Sequence, residues 1–473
     1  MIFTSNVFLF LFLPVYLAIY YMAKPHWRSS VIVIGSYLFY AWWRPDFLFL
    51  FVAVTYWNYW FGQRISACRA DNMKKAFHYL CVGVLGNLAA LAYFKYANFG
   101  AEVISGALES MGLNTFTMEH IILPLGISFY IFQAISYIVD IYRKEAEPAN
   151  NFIDFAAFVA LFPQLIAGPI LHYREVDKQL KKRTHSWDLF SLGVCRFMLG
   201  FIKKVLIADS LAPLTNQFLQ NPDLQMTDAW FGAAISLIQL YFDFSGYSDM
   251  AIGLGMMMGF KFSENFNQPF LAKSLSEFWR RWHLTLANFL MHYVYRPLVR
   301  TVKLSPDVAL FCTMMLSGIW HGADFAFIFF GLSFAVLMVA ERRFNLVTSP
   351  TSPYNVVKNI VTVMLLIMIM PFFTTGSLQH SLDVYTAMLG FQGLGSLTPY
   401  FIGTSKMTMA FVVVALIWLF LAGRQNVKYA ATKGRYVMEN VTGAQAVLLW
   451  LGFALAVTKL SASSFSPFLY FQF

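Results

Sequence analysis

The residue in this sequence best placed to do chemistry is a single imidazole where ionisable groups are costly. His321 lies in the apolar run Val308–Ala340, near its middle, in the polar patch Ser317-Gly318-Ile319-Trp320-His321-Gly322-Ala323-Asp324. An ionisable side chain at membrane depth is unfavourable unless it is paired or solvated, so it marks a functional site by default. A neutral imidazole in a water-poor cavity suits a general base that takes a proton from a hydroxyl or thiol as a carbonyl is attacked. The competing reading is a hydrogen-bonded histidine that packs two helices. Gly318 and Gly322 bracket the ring and are expected to let a ligand approach the backbone.

Other polar groups could complete such a site. The stretch Tyr241-Phe242-Asp243-Phe244-Ser245-Gly246-Tyr247-Ser248-Asp249 puts two acids deep in an apolar segment. That suggests a polar cavity or a helix-capping network, with structural packing the favoured role of Asp243. Farther on come Glu264, Asn265, then Glu277-Phe278-Trp279-Arg280-Arg281-Trp282-His283, then Asn288. Tryptophans beside arginines, taken alone, read as an interfacial helix. Of the nine histidines, His283, His292 and His321 belong to this constellation. His26, His78, His120, His172, His185 and His380 fall at span ends or in loops and are expected to be solvated or interfacial. The HxxxH clusters of a di-iron enzyme and a G-x-S-x-G elbow are absent, and the G-x-G at Gly253–Gly255 follows no strand. Cys68, Cys81, Cys195 and Cys312 show no metal or CxxC spacing, so neither a metal site nor a disulfide framework is expected.

The elements that must position these residues are membrane helices. The chain is 58% hydrophobic and 12% charged, with mean hydropathy +0.58, which excludes a string of soluble domains. Its net charge of +10 resides in short loops and is a topological signal, which argues against a nucleic-acid role. Spans are expected near 7–23, 30–43, 46–62, 77–94 and 119–142, and the basic loops alternate correctly if the N-terminus is outside. Residues 152–171 break that alternation. Their Phe162-Pro163-Gln164-Leu165-Ile166-Ala167-Gly168-Pro169 points to a re-entrant segment buried in protein. The span near 188–208 carries Arg196, Lys203 and Lys204, so part of it is expected along the interface. After a span near 229–252, residues 256–303 form the longest cytoplasmic excursion. Val308–Ala340 is too long for one crossing of about 20 residues and short for two. With basic residues at both ends, it suits a hairpin of two short helices meeting at His321. Spans near 359–378, 407–423 and 443–459 follow, with the basic loop Arg424–Arg435 inside and the tail Ser461–Phe473 outside. The expected fold is therefore all-α and polytopic, with roughly ten crossings plus two re-entrant elements. It forms one domain over 1–473, whose motif-bearing core runs from about 119 to 345.

Several of these motifs carry a family resemblance. Trp279-Arg280-Arg281-Trp282-His283, the Asp243–Asp249 stretch, Glu264-Asn265-Phe266-Asn267-Gln268-Pro269 and Trp320-His321-Gly322 resemble the membrane-bound O-acyltransferase family. The likeness is to its branch of alginate O-acetylation membrane proteins. Phe8–Pro14, Tyr40–Arg44, Pro124–Tyr130 and Ile166–Pro169 resemble that branch too. The likeness runs from residue 1 to about 345, with the last third similar only in hydropathy. It implies helices around a central tunnel, with His321 catalytic and His283 the second polar residue of the site. By the same resemblance Trp320, Asp243, Ser245, Glu264, Asn265, Trp282 and Asn288 line the tunnel, and Arg280 and Arg281 meet the phosphates of the donor. That donor is acetyl-CoA, no cofactor stays bound, and a periplasmic acetyltransferase within an exopolysaccharide secretion complex receives the acetyl group at the bacterial inner membrane. Tyr293–Arg300 departs from the branch's Gly-Gly-Asn-Arg-like loop, so the polymer stays open between alginate and another such as bacterial cellulose. A transporter or flippase without chemistry, and acylation of a lipid, a protein or teichoic acid (by D-alanylation), remain alternatives. Against transport, there is no inverted repeat with paired broken helices.

Overall fold

The computed structural model describes residues 1–221, 223–346, 354–397, 404–425, 443–462 and 468. Among them every regular element is helical, and two compact units form: Met1–Val194 with Ala251–Phe262, and Cys195–Met250 with Ser263–Phe473. The first unit holds α1 (Leu13–Met22), α2 (Arg28–Ala41), α3 (Asp46–Cys68), α4 (Met73–Ser110), α5 (Ile127–Tyr142), α6 (Phe152–Ala160), α7 (Phe162–Leu165), α8 (Tyr173–Lys181) and the start of α9 (Trp187–Ile202). The second continues through the π-helical turn Lys203–Ala208 into α10 (Asp209–Gln220) and most of α11 (Met226–Met257). It then holds α12 (Leu275–Trp279), α13 (Leu284–Leu290), α14 (Arg296–Arg300), α15 (Pro306–His321) and α16 (Phe325–Arg343). Last come α17 (Asn355–Thr374), α18 (Leu378–Met388), α19 (Lys406–Gln425) and α20 (Gly443–Ala462).

Among the described residues, four helices are long and apolar enough to cross a membrane, α4, α16, α17 and α20, alongside the shorter apolar segments Phe8–Met22, Ile127–Tyr142 and Lys406–Leu419. The protein is an integral membrane protein, though ten crossings are more than length and composition identify. The basic loop Arg424–Arg435 and the tail Ser461–Phe473 lie almost wholly outside the described residues.

In the first unit, small and amide residues let helices meet closely. Asn58 on α3 and Asn87 on α4 exchange side-chain hydrogen bonds of 2.9 and 2.7 Å. The expected span 119–142 is helical only from Ile127. Gly126 before it adopts φ +72°, and a Cβ there would lie 2.6 Å from the Leu165 carbonyl, so glycine is required. Residues 152–171 break at Leu161, between α6 and α7, and are buried almost throughout. Gln164 Nε2 donates to the Phe158 carbonyl at 2.7 Å and the Phe162 N–H to Ser36 Oγ at 3.1 Å. Irregular backbone at this depth thus finds partners inside the protein.

In the second unit, the three cations expected at the interface are buried instead. Arg196 pairs with Asp249 and Glu264, Lys203 with Asp249, and Lys204 with both Asp209 and Asp243, at 2.6–2.7 Å. Each charge is offset by one of opposite sign on a neighbouring turn or helix, which is how buried charges are tolerated. Gly200 and Gly246 permit that approach, since a Cβ on Gly200 would lie 2.4 Å from the Gly246 carbonyl.

Candidate active site

The run Val308–Ala340 folds as the expected helical hairpin. Ser305 caps α15 by accepting from the Val308 N–H, and Pro306 occupies its first turn. The helix ends at His321, Gly322 is extended, and Asp324 caps α16 by accepting from the Ala326 N–H at 2.7 Å. The glycines serve packing, not ligand approach. A Cβ at Gly318 would meet the Phe327 carbonyl at 2.4 Å and Gly331 Cα at 2.6 Å, and one at Gly322 would meet the Phe327 ring at 2.0 Å. The hairpin therefore closes backbone to backbone and fixes the His321 ring at its tip.

His283 is set by a different device. It sits between α12 and α13 with φ +45°, a left-handed conformation that costs on the order of 1–3 kcal/mol for a non-glycine residue. Asn265 holds it there. Its Oδ1 accepts from the Thr285 N–H at 3.2 Å and from Thr285 Oγ1 at 2.9 Å, and it lies 3.1 Å from His283 Nδ1. With that oxygen as acceptor, Nδ1 carries the proton and Nε2 is the basic nitrogen. His283 lies outside the spanning helices, and burial pushes its pKa down to about 3, so the ring is neutral at physiological pH. Glu341 of α16 accepts from the Leu275 and Ser276 N–H groups at 2.6 and 3.0 Å, anchoring the start of α12.

These parts bring both histidines to one cavity. His283 and His321 line it together with aromatic and aliphatic side chains of α11, α12, α16 and α17, and its free volume is about 30 Å³, room for about two waters. The Trp320 ring contacts both imidazoles, with centroids 6.3 Å from His283 and 4.8 Å from His321. Phe330 and Phe373 meet His321 edge to face at 5.6 and 5.2 Å, and Phe244 meets His283 likewise at 4.7 Å. Such a wall excludes bulk water and strengthens every electrostatic interaction within.

The remaining expected residues divide. Trp282 lines the cavity, Trp320 contacts both histidines and Asn265 orients His283. Asp243 and Glu264 are instead held in the ion pairs with Lys204 and Arg196, and Ser245 is buried in α11. None of these three lines the cavity, nor does Asn288, which is exposed on α13. Arg280 is exposed, whereas Arg281 pairs with Glu277 at 2.7 Å and donates to the Asn267 carbonyl. His292 lies beside Arg296 and not at the cavity, while His172, expected to be solvated, is buried.

Sequence reasoning missed two contributors. The first is α17, read as a plain span, whose Leu366, Met370 and Phe373 form one wall. The second is Trp279, the first tryptophan of the motif. It lines the cavity and carries a buried indole N–H with no acceptor among the described residues, a donor suited to a developing oxyanion. Its place in the motif was the available signal.

Among known proteins, the model of the membrane-bound O-acyltransferase family matches residues 144–376. The chain is 45% identical to the probable alginate O-acetylase AlgI of Pseudomonas putida over 100% of both chains. It is 30% identical to the peptidoglycan O-acetyltransferase of Helicobacter pylori, over 100% of this chain and 98% of that one. With the teichoic acid D-alanyltransferase of Bacillus subtilis it shares 30% identity, over 47% of this chain and 59% of the relative. Likeness therefore extends through the last third, beyond the expected limit near residue 345.

Proposed function

This chain belongs to the membrane-bound O-acyltransferase family and is an O-acyltransferase, and on that premise we propose that it handles acetyl groups destined for an alginate-type exopolysaccharide. The donor is acetyl-CoA, met from the cytoplasmic side of the bacterial inner membrane, with the exposed Arg280 and its neighbour Arg281 toward its phosphates. Both termini are periplasmic. The acetyl group leaves through a central tunnel to a periplasmic partner enzyme, and residues 1–473 act as one catalytic domain.

The observation that carries this reading is two imidazoles on one buried, water-poor cavity. His321 takes the proton of the acceptor hydroxyl as its oxygen attacks the thioester carbonyl. The tetrahedral intermediate collapses, the C–S bond breaks, and the thiolate leaves with the proton returned by the imidazolium. His283, with Nδ1 toward Asn265, presents Nε2 as a second polar contact, and the Trp279 N–H serves the oxyanion. Trp282 and Trp320 shape the passage. Asp243 and Ser245 support it from α11, and Glu264 from the loop that follows. The polymer follows the relatives that match this chain over its full length at the higher identities, whose names specify alginate. The teichoic acid enzymes match only about half of it.

His321→Ala is expected to abolish polymer acetylation while expression and membrane insertion persist. Near-normal acetylation by that variant would remove His321 from the chemistry. Acyl labelling or donor hydrolysis by the purified protein separates transfer from mere transport.

A further inference from the structure

Where α1 ends and α9 begins, the first unit forms a groove of about 550 Å³ lined by Leu17, Ala18, Tyr21, His185, Trp187 and Phe190. Beside His185 stand two guanidinium groups. Arg28 Nη1 lies 3.1 Å from His185 Nδ1, while Arg183 donates from Nη1 to the Tyr20 hydroxyl at 3.3 Å and from Nη2 to Ser29 Oγ at 3.2 Å and the Leu180 carbonyl at 3.1 Å. Both cations face the Tyr20 ring, at 5.5 and 6.0 Å from its centroid.

Three arginines of this unit have counter-charges: Arg44 pairs with Asp46, Arg69 with Glu147 and Arg174 with Glu145, while Arg64 lies over the Trp60 ring. Arg28 and Arg183 pair with no carboxylate among the described residues, and the buried Nε of Arg28 has no acceptor among them. The same excess of positive charge, after burial itself, keeps the His185 pKa below its ordinary value. Exposed tryptophans flank the cluster, Trp27 and Trp187 at 59% and 83% exposure, as side chains at headgroup level do.

We propose that this groove binds an anionic phospholipid, its phosphate on Arg28 and Arg183 and an acyl chain along Leu17, Tyr21 and Phe190. Two guanidinium charges side by side attract a phosphate, and the N–H groups of Arg28 and Arg183 supply charge-assisted donors to its oxygens. A free anion would engage the cations but leave the apolar trough unused, whereas a lipid satisfies both, and in an integral membrane protein it is always at hand.

The test is native mass spectrometry of the full chain, titrated with phosphatidylglycerol and with phosphatidylcholine. The wild type retains phosphatidylglycerol in preference. Arg28→Gln with Arg183→Gln weakens it roughly 25-fold, about fivefold per charge. Ala18→Trp, at an exposed position in the trough, weakens it with both arginines intact. Equal retention of the two lipids, unchanged affinity in the double variant, or unchanged affinity with Ala18→Trp each overturns the proposal. Displacement of the lipid by inorganic phosphate at equal concentration overturns it too, because the site would then be one for free anions.

Discussion

Asn265→Ala separates a His283 held for chemistry from one merely packed. In the wild type three donors converge on Asn265 Oδ1 at 2.9–3.2 Å, all of them buried. Alanine strands them. A buried donor left without an acceptor costs about 1–3 kcal/mol, and water entering the vacated volume returns part of that, so a net loss of about 3 kcal/mol is expected. The Leu284 N–H still bonds the residue 265 carbonyl at 2.9 Å, so the loop persists while the imidazole loses its orienting partner. At metal-binding histidines the loss of such an orienting partner lowers activity about 10- to 100-fold, and a fall of that order is expected here. Asn265→Asp restores an acceptor and adds a negative charge beside a ring whose pKa burial has lowered to about 3. That charge favours the imidazolium and raises the pKa, so the acid limb of the pH profile shifts upward relative to the wild type. The assay is transfer of labelled acetyl from acetyl-CoA by protein in lipid nanodiscs across pH 5–8, paired with a thermal melt. A full wild-type rate in Asn265→Ala, alongside an inactive His283→Ala, would refute the reasoning. So would an aspartate variant no more active than the alanine one.

Lys204→Met leaves Asp243 and Asp209 without their shared cation, two contacts of 2.6 Å, and is expected to destabilise the protein by about 3–5 kcal/mol. Adding Asp243→Asn should recover part of the lost thermal midpoint, and no recovery would count against the pairing. Gly318→Ala drives a methyl into backbone at 2.4 Å, so the α15–α16 hairpin must open at a cost of about 1–3 kcal/mol, read as a lower melting temperature with reduced transfer. Arg280→Gln removes an exposed cation that forms no ion pair among the described residues, and should raise KM for acetyl-CoA with kcat and stability nearly unchanged.

Much of the arrangement was legible in residue order. Pro306, Gly322 and Asp324 mark where α15 starts and where the chain turns into α16, so the hairpin around His321 could be read directly. Pro163 and Gly168 likewise announced the broken segment after α6. Hydropathy misplaced Arg196, Lys203 and Lys204, because a cation in an apolar run can be met by lipid headgroups or by an acid on another helix. Only tertiary packing selects between these. The resemblance counted Asn288 with the site, yet it is exposed on α13, since proximity in sequence to His283 says nothing about which side of a helix a residue occupies.

Residue types and spacing were enough to read a helical membrane protein with His283 and His321 among its polar groups, and motif resemblance pointed to the family, because helix breaks, caps and apolar length are local properties of the chain. The meeting of His283 with His321 through Trp320, the Asn265 oxygen that selects a tautomer and the wall supplied by α17 were decided by the fold. Those contacts join segments distant in sequence, and their energies depend on burial and orientation that no local pattern encodes.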